Sequence, residues 1–420
     1  MAKLALRGGK RLFGKGDFKS TWPIVTKADV NAAAKVAASG NWWRYVPHSH
    51  VEKFEQEYAA YHDARYCLAV NNGTVAIDAA LRALGVEPGD EVIVTGMTFI
   101  ASASAVVLAR AVPVFADIDP ETYQLSAASV EAQITRRTRG IVAVHYAGYP
   151  CNMTALRKIA RKHGLFLLED SSHAQGTEWR GRKVGAIGDA GTFSFQQSKS
   201  LTSGEGGAIV TDKQPAYEKA YAYHHIGRTL WAKKYEHTIV GQNYRLTELQ
   251  GCLLRTQLRK LQRQTEQKMK NVAAFFEQIA DIPGLVPLRP DKRITQRGYY
   301  FVVLRYLQDR MKGVHRDRFL EALRAEGVPI GTGYGVPVYA IPVFGENSFG
   351  EKGCPVTCRH YGGAVDYAKV HLPAVEHACR HEQMTIPHQY FVYRSNVRKF
   401  AAAMHKVYAD LDELTEPAAG

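Results

Sequence analysis

The sequence predicts an α/β fold whose core is a largely parallel sheet covered by helices on both faces. Between about residue 51 and residue 225, short apolar runs alternate with segments of helical length, the pattern of repeated βαβ units. A chain of 420 residues is long for one compact core, so a second, smaller domain is expected. The runs predicted as buried strands are 66–70, 91–95, 112–116, 140–145, 165–169, 191–195 and 208–210.

Helix signals frame the first of these strands. Ser49 and Glu52 form a capping-box pattern, after which apolar and aromatic residues fall on one helical face. Asn72 and Gly73 end the strand 66–70, and a helix is predicted over 74–84, with Gly85 as its C-terminal stop.

The pattern changes after residue 245. A long helix over about 246–279 is predicted to leave the first domain, and a strand near 299–306 and helices near 317–326 and 397–411 indicate a smaller C-terminal α+β domain. Residues 330–362 are rich in Gly, Pro and Tyr and are predicted as loop. The expected division is a large domain over 20–255 and a smaller one over 256–420, with residues 1–19 packing against the smaller one.

The net charge of +14 is compatible with a nucleic-acid partner, an anionic substrate or cofactor, or a basic surface. The one concentrated basic stretch is 255–270, where Leu254, Leu258 and Leu261 are spaced as the buried face of a helix. That spacing favours a solvated basic face over a nucleic-acid stripe, so no nucleic-acid partner is expected.

Composition also bears on the compartment. No apolar stretch reaches the roughly 18 residues of a membrane span, because the best one is interrupted by Arg110 and Pro113. The basic start of the chain lacks the pattern of a secretory signal. Six cysteines in a chain of this size are typical of free thiols, so a reducing cytoplasm is expected, with no membrane partner.

Polar residues follow several of the predicted strands, at the sheet edge where ligands of open α/β sheets bind. Gly73 and Thr74 lie between a strand and a helix N-terminus, which favours a phosphate. Asp170 comes directly after the strand 165–169. The strand 191–195 delivers Ser194, and the following loop presents Lys199 before the glycine-rich run 204–207. Each signal alone also fits a cap or a solvated charge, but their arrangement favours a functional site.

These residues and further ordered motifs resemble the DegT/DnrJ/StrS-type family of aminotransferases that depend on pyridoxal 5′-phosphate (PLP), over roughly residues 20–400. The motifs are GNWWR at 40–44, NNGT at 71–74, GDEVIV at 89–94, TFIA at 98–101, DIDPETY at 117–123, EDSSHAQG at 169–176, the Lys199 loop and NYRLTELQ at 243–250. The resemblance implies fold type I, with a mainly parallel seven-stranded sheet, and the cofactor PLP.

The resemblance also implies roles for individual residues. Lys199 would be the Schiff-base lysine, and Asp170 would pair with the pyridine nitrogen and keep it protonated. Asn243 would reach the phosphate of a neighbouring subunit, which implies a homodimer with shared active sites. The remaining cofactor contacts implied are Gly73, Thr74 and Ser194 at the phosphate, Phe99 on the ring face and His173 near the 3-hydroxyl.

Some relatives carry a histidine at the lysine position and dehydrate sugars, and the presence of Lys199 argues against that branch. The segments 196–199 and 386–388 resemble glutamine-dependent inosose aminotransferases, so a ping-pong transfer from L-glutamine or L-glutamate to a keto cyclitol or keto sugar is expected. Nucleotide-sugar aminotransferases and aminohydroxybenzoate synthase share most of the motifs and remain alternatives. The residues expected to shape the substrate pocket are Trp42, Trp43, Arg44, Tyr244 and His388.

Two readings from other classes stay open on the sequence. A zinc site could use cysteines and histidines between 354 and 381, but their spacing matches no strong zinc pattern, so no metal is expected. The second alternative is a regulator that binds PLP without catalysis, although no helix-turn-helix pattern or added domain is found.

Overall fold

The structure is a computed structural model that describes residues 3–349 and 352–415. The strands are β1 Tyr66–Val70, β2 Glu91–Thr95, β3 Val112–Ala116, β4 Thr138–Val144, β5 Phe166–Asp170, β6 Glu178–Trp179, β7 Arg182–Lys183, β8 Ala190–Ser194, β9 Gly207–Thr211, β10 Leu285–Pro287, β11 Ile294–Gln296, β12 Phe301–Tyr306 and β13 Gln383–Pro387. The α-helices are α1 Lys27–Ser39, α2 His50–Tyr61, α3 Gly73–Ala83, α4 Ala101–Leu108, α5 Ala127–Ala132, α6 Met153–His163, α7 Gln214–His224, α8 Glu248–Gln278, α9 Arg316–Ala325, α10 Pro342–Gly345, α11 Pro373–His377 and α12 Arg394–Ala409.

A seven-stranded sheet in the order β1-β9-β8-β5-β4-β2-β3 forms the centre of the fold, which confirms the predicted class. Five neighbouring strands of this sheet, β8, β5, β4, β2 and β3, run parallel to one another. The strand β9 is antiparallel to both of its neighbours, β8 and β1. The reversal has a local cause: residues 195–206 join β8 to β9 without a crossover helix, so the chain turns back. That turn is the Lys199 loop.

The strand register aligns the polar residues at one sheet edge. Val144 at the end of β4 lies opposite Asp170 at the end of β5, and Asp170 lies opposite Thr192 in β8. Ser194 therefore lies two residues beyond Thr192 on β8, beside Gly73 at the start of α3. The helix α3 begins where the side chain of Asn72 accepts a hydrogen bond from the N–H of Val75.

A second, three-stranded sheet in the order β10-β12-β13 belongs to the C-terminal part of the chain. The sequence does not predict strand β13, because the polar residues Gln383 and Thr385 interrupt its apolar run. In the structure every residue of this strand except Pro387 is buried. One hydrophobic cluster joins this sheet to α8, α9 and α12, and Leu4 and Phe18 from the N-terminal segment belong to it.

The basic stretch of α8 has the solvated face that the sequence predicts, but two of its lysines lie off that face. Leu254 and Leu261 are buried as expected. However, Lys260 pairs with Asp29 at 2.8 Å, and Lys268 is only 1% exposed. The predicted solvated face is nevertheless present, because Arg259, Arg263 and Lys270 are exposed at helical spacing along one side of this 31-residue helix.

The expectation that the cysteines are free thiols is wrong for two of them. Cys354 and Cys358 form a disulfide, because the loop that holds them brings their Cα atoms to 4.8 Å, a separation that a disulfide spans. The other four cysteines are free and buried. Within residues 3–349 and 352–415, no helix is long and apolar enough to cross a membrane.

Candidate active site

An open cavity of about 780 Å³ lies at the carboxyl ends of the central strands. Its wall includes residues from β5 and β8, from the first turn of α3, from the loop before α4 and from the Lys199 loop. The residues that the sequence predicts for a cofactor and that the structure brings together here are Gly73, Thr74, Phe99, Asp170, His173, Ser194 and Lys199.

The first turn of α3 forms one end of this cavity. A Cβ atom at Gly73 would lie 2.7 Å from the Cβ atom of Ser194, so only glycine allows the helix start to lie against the end of β8. The helix has eleven residues, and its N-terminal N–H groups and positive dipole end meet the hydroxyls of Thr74 and Ser194 at this wall. Such a wall suits a phosphate group.

The carboxylate of Asp170 is 5% exposed and held from two sides. Its Oδ2 accepts a hydrogen bond of 2.7 Å from the hydroxyl of Ser102, and its Oδ1 accepts one of 3.1 Å from the N–H of Ser172. The Ser102 hydroxyl also lies 2.8 Å from that of Thr98. These contacts fix an anionic group in the cavity wall.

The amine of Lys199 lies 4.3 Å from the centroid of the Tyr300 ring. Burial lowers the pKa of Lys199 to about 8, although the carboxylate of Asp170 acts in the opposite direction. An amine with this pKa is partly neutral near physiological pH and can act as a nucleophile or a base. The backbone carbonyl of Lys199 accepts a hydrogen bond of 3.1 Å from the indole N–H of Trp22, which ties the loop to the N-terminal segment.

His173 stacks on Tyr300 with ring centroids 4.0 Å apart. Its Nε2 lies 3.2 Å from the hydroxyl of Tyr334, whereas its buried Nδ1 has no hydrogen-bond partner among the described residues. Burial and the nearby Lys199 lower the pKa of His173 well below its usual value, so the ring is neutral. The free ring nitrogen is a polar group that a ligand can satisfy.

The expectation that Arg44 faces a substrate is not supported. Its guanidinium is 6% exposed and donates to both carboxylate oxygens of Glu55 at 2.9 Å, and to the carbonyl of Ala69. The local WWR motif could not reveal this, because Glu55 and Ala69 belong to a helix and a strand that come later in the chain. Arg44 therefore acts in the packing of α2 against β1.

The other expected substrate residues lie outside the wall of this cavity. Trp42 and Trp43 are 56% and 54% exposed. The hydroxyl of Tyr244 donates to Asp78 at 3.2 Å. His388 is buried, and its Nε2 lies 2.9 Å from the carbonyl of Ser198 in the Lys199 loop. Asn243, next to Tyr244 in the chain, is exposed and forms a β-bridge with His225, and it too lies outside the cavity wall.

Several residues of the site escaped sequence reasoning. Ser102 lies in α4, where only its spacing of four from Thr98 hints at a shared polar contact. Tyr300 and Tyr334 come from the C-terminal half of the chain and reach the cavity only because that half folds back onto the first sheet. Glu205, in the glycine-rich turn, also lines the cavity.

The cysteines and histidines of the zinc hypothesis are engaged elsewhere. Cys354 and Cys358 are bonded to each other, and His377 lies 3.2 Å from a carboxylate oxygen of Glu382. His381 Nδ1 lies 3.2 Å from His315 Nε2. In the part of the chain that the structure describes, no three His, Cys, Asp or Glu residues are grouped as metal ligands.

Comparison with known proteins agrees with this geometry. The model of the DegT/DnrJ/EryC1/StrS aminotransferase family matches residues 24–389. A Streptoalloteichus tenebrarius protein, whose name provisionally assigns it as an L-glutamine:3-amino-2,3-dideoxy-scyllo-inosose aminotransferase, is 39% identical over 93% of this chain and 95% of its own length. The L-glutamine:2-deoxy-scyllo-inosose aminotransferase of the same organism is 35% identical over 94% of this chain and 95% of its own length.

The crystal structure of 3-amino-5-hydroxybenzoic acid synthase superposes with a TM-score of 0.83 at 32% identity, covering 96% of this chain and 100% of that one. The family model spans most of the chain, and the related sequences and structure align over nearly its full length. The chain therefore belongs to the DegT/DnrJ/EryC1/StrS aminotransferase family.

Proposed function

We propose that the protein is a PLP-dependent aminotransferase that moves an amino group from L-glutamine or L-glutamate to a keto cyclitol or keto sugar. The observation that carries the proposal is the position of Lys199, an amine of lowered pKa in the same cavity as the fixed carboxylate of Asp170 and the start of α3. Family membership supports the reaction type. The names of the two related Streptoalloteichus proteins support the donor and the acceptor class.

The residues of the cavity fit PLP. The phosphate matches the first turn of α3 with Gly73, Thr74 and Ser194, and the pyridine nitrogen matches the carboxylate of Asp170. The unpartnered Nδ1 of His173 fits the ring hydroxyl. Phe99, 54% exposed in the wall, offers an aromatic face to the ring. When bound, such a group supplies an electron sink for the carbon that loses its proton.

The protein's own groups then have separate tasks. The amine of Lys199 takes the proton from the α-carbon of the donor and returns one to the acceptor, which its pKa near 8 permits at neutral pH. Asp170, anchored by Ser102 and Ser172, keeps a negative charge in place throughout. Tyr300 packs beneath the amine and limits its range of positions. We propose a ping-pong order, in which the donor leaves as a keto acid before the acceptor enters.

A keto cyclitol is the favoured acceptor because the relative named for an amino-dideoxy-scyllo-inosose is 39% identical to this chain, against 32% for the 3-amino-5-hydroxybenzoic acid synthase of known structure. A keto nucleotide sugar and an aminohydroxybenzoate-type acceptor remain the alternatives within this family. Trp42, Trp43, Tyr244 and His388 stay candidates for acceptor contacts, and we propose that the first three act in the site of a second subunit.

We further propose a homodimer with shared sites in the cytoplasm. The segment before Asn243 exposes large apolar side chains, with Trp231 76%, Tyr235 78% and Val240 93% exposed. A patch of this kind is typical of an interaction surface, and a second copy would cover it. In this arrangement Asn243 serves the phosphate in the site of the other subunit. The proposed division remains a PLP-binding domain over 20–255 and a smaller domain over 256–420, with residues 1–19 against the latter.

The visible absorption spectrum of the protein reconstituted with PLP tests the proposal. We expect a band of the lysine-bound cofactor that fades with L-glutamine and returns with a keto cyclitol. A band that returns only with a keto nucleotide sugar would keep the aminotransferase and reject the cyclitol. A band that never fades with any amino donor would favour a regulator that binds the cofactor without catalysis. If no band forms, Lys199 does not carry this chemistry.

A further inference from the structure

Lys268 in α8 is a buried lysine that the proposed mechanism leaves unused. The residue is 1% exposed, and within residues 3–349 and 352–415 no carboxylate lies within ion-pair distance of its amine. The amine instead donates three hydrogen bonds, to Ser200 Oγ at 3.0 Å, to the carbonyl of Tyr299 at 3.1 Å and to the carbonyl of Gly298. A buried ammonium without a counter-ion is costly, so its three acceptors are significant.

The acceptors belong to two separate segments of the active site. Ser200 directly follows Lys199 in the turn between β8 and β9, whereas Gly298 and Tyr299 directly precede Tyr300 before β12. The two segments are about a hundred residues apart in the chain. One amine on a third element, α8, therefore joins the loop of the proposed catalytic lysine to the segment of the ring beneath it.

The joined segments also meet at the reacting group itself. The Tyr300 ring lies 4.3 Å below the amine of Lys199, and its hydroxyl lies 2.9 Å from Ser198 Oγ. The same ring stacks on His173. A shift between the two segments would therefore move Lys199, Tyr300 and His173 relative to one another.

Burial alone lowers the pKa of Lys268 to about 7. The hydrogen bonds to two carbonyls and a hydroxyl favour the charged amine, which can donate all three at once. A methionine would fill the space without donating, and an arginine would keep the charge and the donors.

We propose that Lys268 is a positioning residue that holds the Lys199 loop and the Tyr300 segment in register, so that the amine of Lys199 keeps its place over the ring. This inference rests on the proposed role of Lys199. If Lys268 merely stabilised the fold, its replacement would lower the melting temperature without changing the properties of Lys199.

The test compares Lys268→Met, Lys268→Arg and the control Lys406→Met. Lys406 is a matched choice because its largely buried amine pairs with Glu326 at 2.7 Å in the cluster around α12, away from the Lys199 loop. Two readouts are measured beside the melting temperature. One is steady-state kinetics of the loaded enzyme. The other is the pH dependence of the rate at which cofactor-free protein captures PLP covalently.

For Lys268→Met we expect kcat to fall about 10- to 100-fold, the cost of a misplaced reacting group, with the donor KM within about threefold. The midpoint of the capture profile should move from near pH 8 toward the ordinary lysine value of 10.5, because a displaced Lys199 is less buried. Lys268→Arg should restore most of both properties. Lys406→Met should lose stability only.

The proposal is overturned if Lys268→Met melts earlier but keeps the wild-type kcat and capture midpoint. Ser200→Ala covers the case in which Lys268→Met does not fold, since it removes one acceptor of Lys268 and little volume, together with the hydrogen bond of 3.2 Å that Ser200 donates to the carbonyl of Tyr299. We expect it to lower kcat by about 3- to 10-fold, because the hydrogen bond from Lys268 and the hydrogen bond to Tyr299 are both lost, and unchanged kinetics would overturn the proposal. If the wild-type protein captures no PLP at all, the proposed function has failed instead, independently of Lys268.

Discussion

The hydroxyl of Ser102 donates a hydrogen bond of 2.7 Å to Oδ2 of Asp170, across 68 positions of the chain. Asp170 ends the strand β5, whereas Ser102 lies in the first turn of α4, so the orientation of the carboxylate depends on two elements. The contact of Ser102 with Thr98 extends this support to the loop before α4. The role that we propose for Asp170, facing a ring nitrogen, requires such support, because the torsion of the carboxylate is otherwise free.

Ser102→Ala should therefore weaken catalysis without disturbing the fold. A hydrogen bond to a charged group contributes about 1.5 kcal/mol or more, so we expect kcat to fall about tenfold. The Ser172 N–H still holds the other oxygen, and the loss stays partial. Steady-state kinetics checks this, with Ser104→Ala on the same helix as control. Equal kcat values for the two variants would contradict the role of Ser102.

Arg44→Met should affect stability and leave substrate binding unchanged. The substitution leaves the carboxylate of Glu55 buried, with the N–H of Ala69 at 2.7 Å as its remaining partner. Removing one member of a buried pair costs about 3–5 kcal/mol, and replacing both members by apolar residues should recover much of it. Denaturant unfolding of Arg44→Met and of Arg44→Met/Glu55→Met measures both effects. A large rise in KM at unchanged stability would instead return Arg44 to the substrate pocket.

The sequence was most informative where the chain forms local βαβ units. Asp170, Ser194 and Gly73 were found because each follows or precedes an apolar run at a sheet edge, and parallel strands place their carboxyl ends together. The order of the strands and the antiparallel β9 could not be found this way, because pairing partners are set by contacts distant in sequence.

Contacts between the two halves of the chain were beyond the sequence. Tyr300 and Tyr334 enter the cavity through the docking of the C-terminal part, for which no local pattern exists. Lys268 looked like one more charge on a basic helix, since the carbonyls that bind it lie in a later segment. The periodicity of α8 predicts that Leu254 and Leu261 are buried, but it does not indicate which lysines of the helix are buried as well.

The depressed pKa of Lys199 makes the stability of the cofactor-free protein depend on pH. The folded amine loses its proton near pH 8, whereas the unfolded one does so near 10.5. The unfolded chain binds the additional proton between these values, so stability should rise with pH across that window, by at most about 1.4 kcal/mol per unit. The measurement is the free energy of unfolding at pH 7.5 to 10, for wild type against Lys199→Met. Lys268, whose pKa is about 7, adds a rise to both curves, so the test is their difference, which should grow with pH as the share of Lys199 is lost from the variant. Parallel curves would show that Lys199 has an ordinary pKa.

Subunit complementation tests whether the sites are shared. Lys199→Ala should abolish turnover while keeping phosphate binding at α3, and Asn243→Ala should weaken cofactor binding. If Asn243 serves the site of the other subunit, a mixed dimer has one site with both changes and one with neither. Random reassociation of equal amounts then restores about a quarter of the wild-type activity.

The control is each variant reassociated with itself, which should remain inactive or impaired. If Asn243 instead acted within its own subunit, every site of the mixed dimer would carry one of the two changes, and mixing would restore nothing. A Trp231→Glu change in the exposed apolar segment should prevent the restoration, because a buried charge without a partner opposes association. Size measurements on the same samples separate a failure to associate from sites that are not shared.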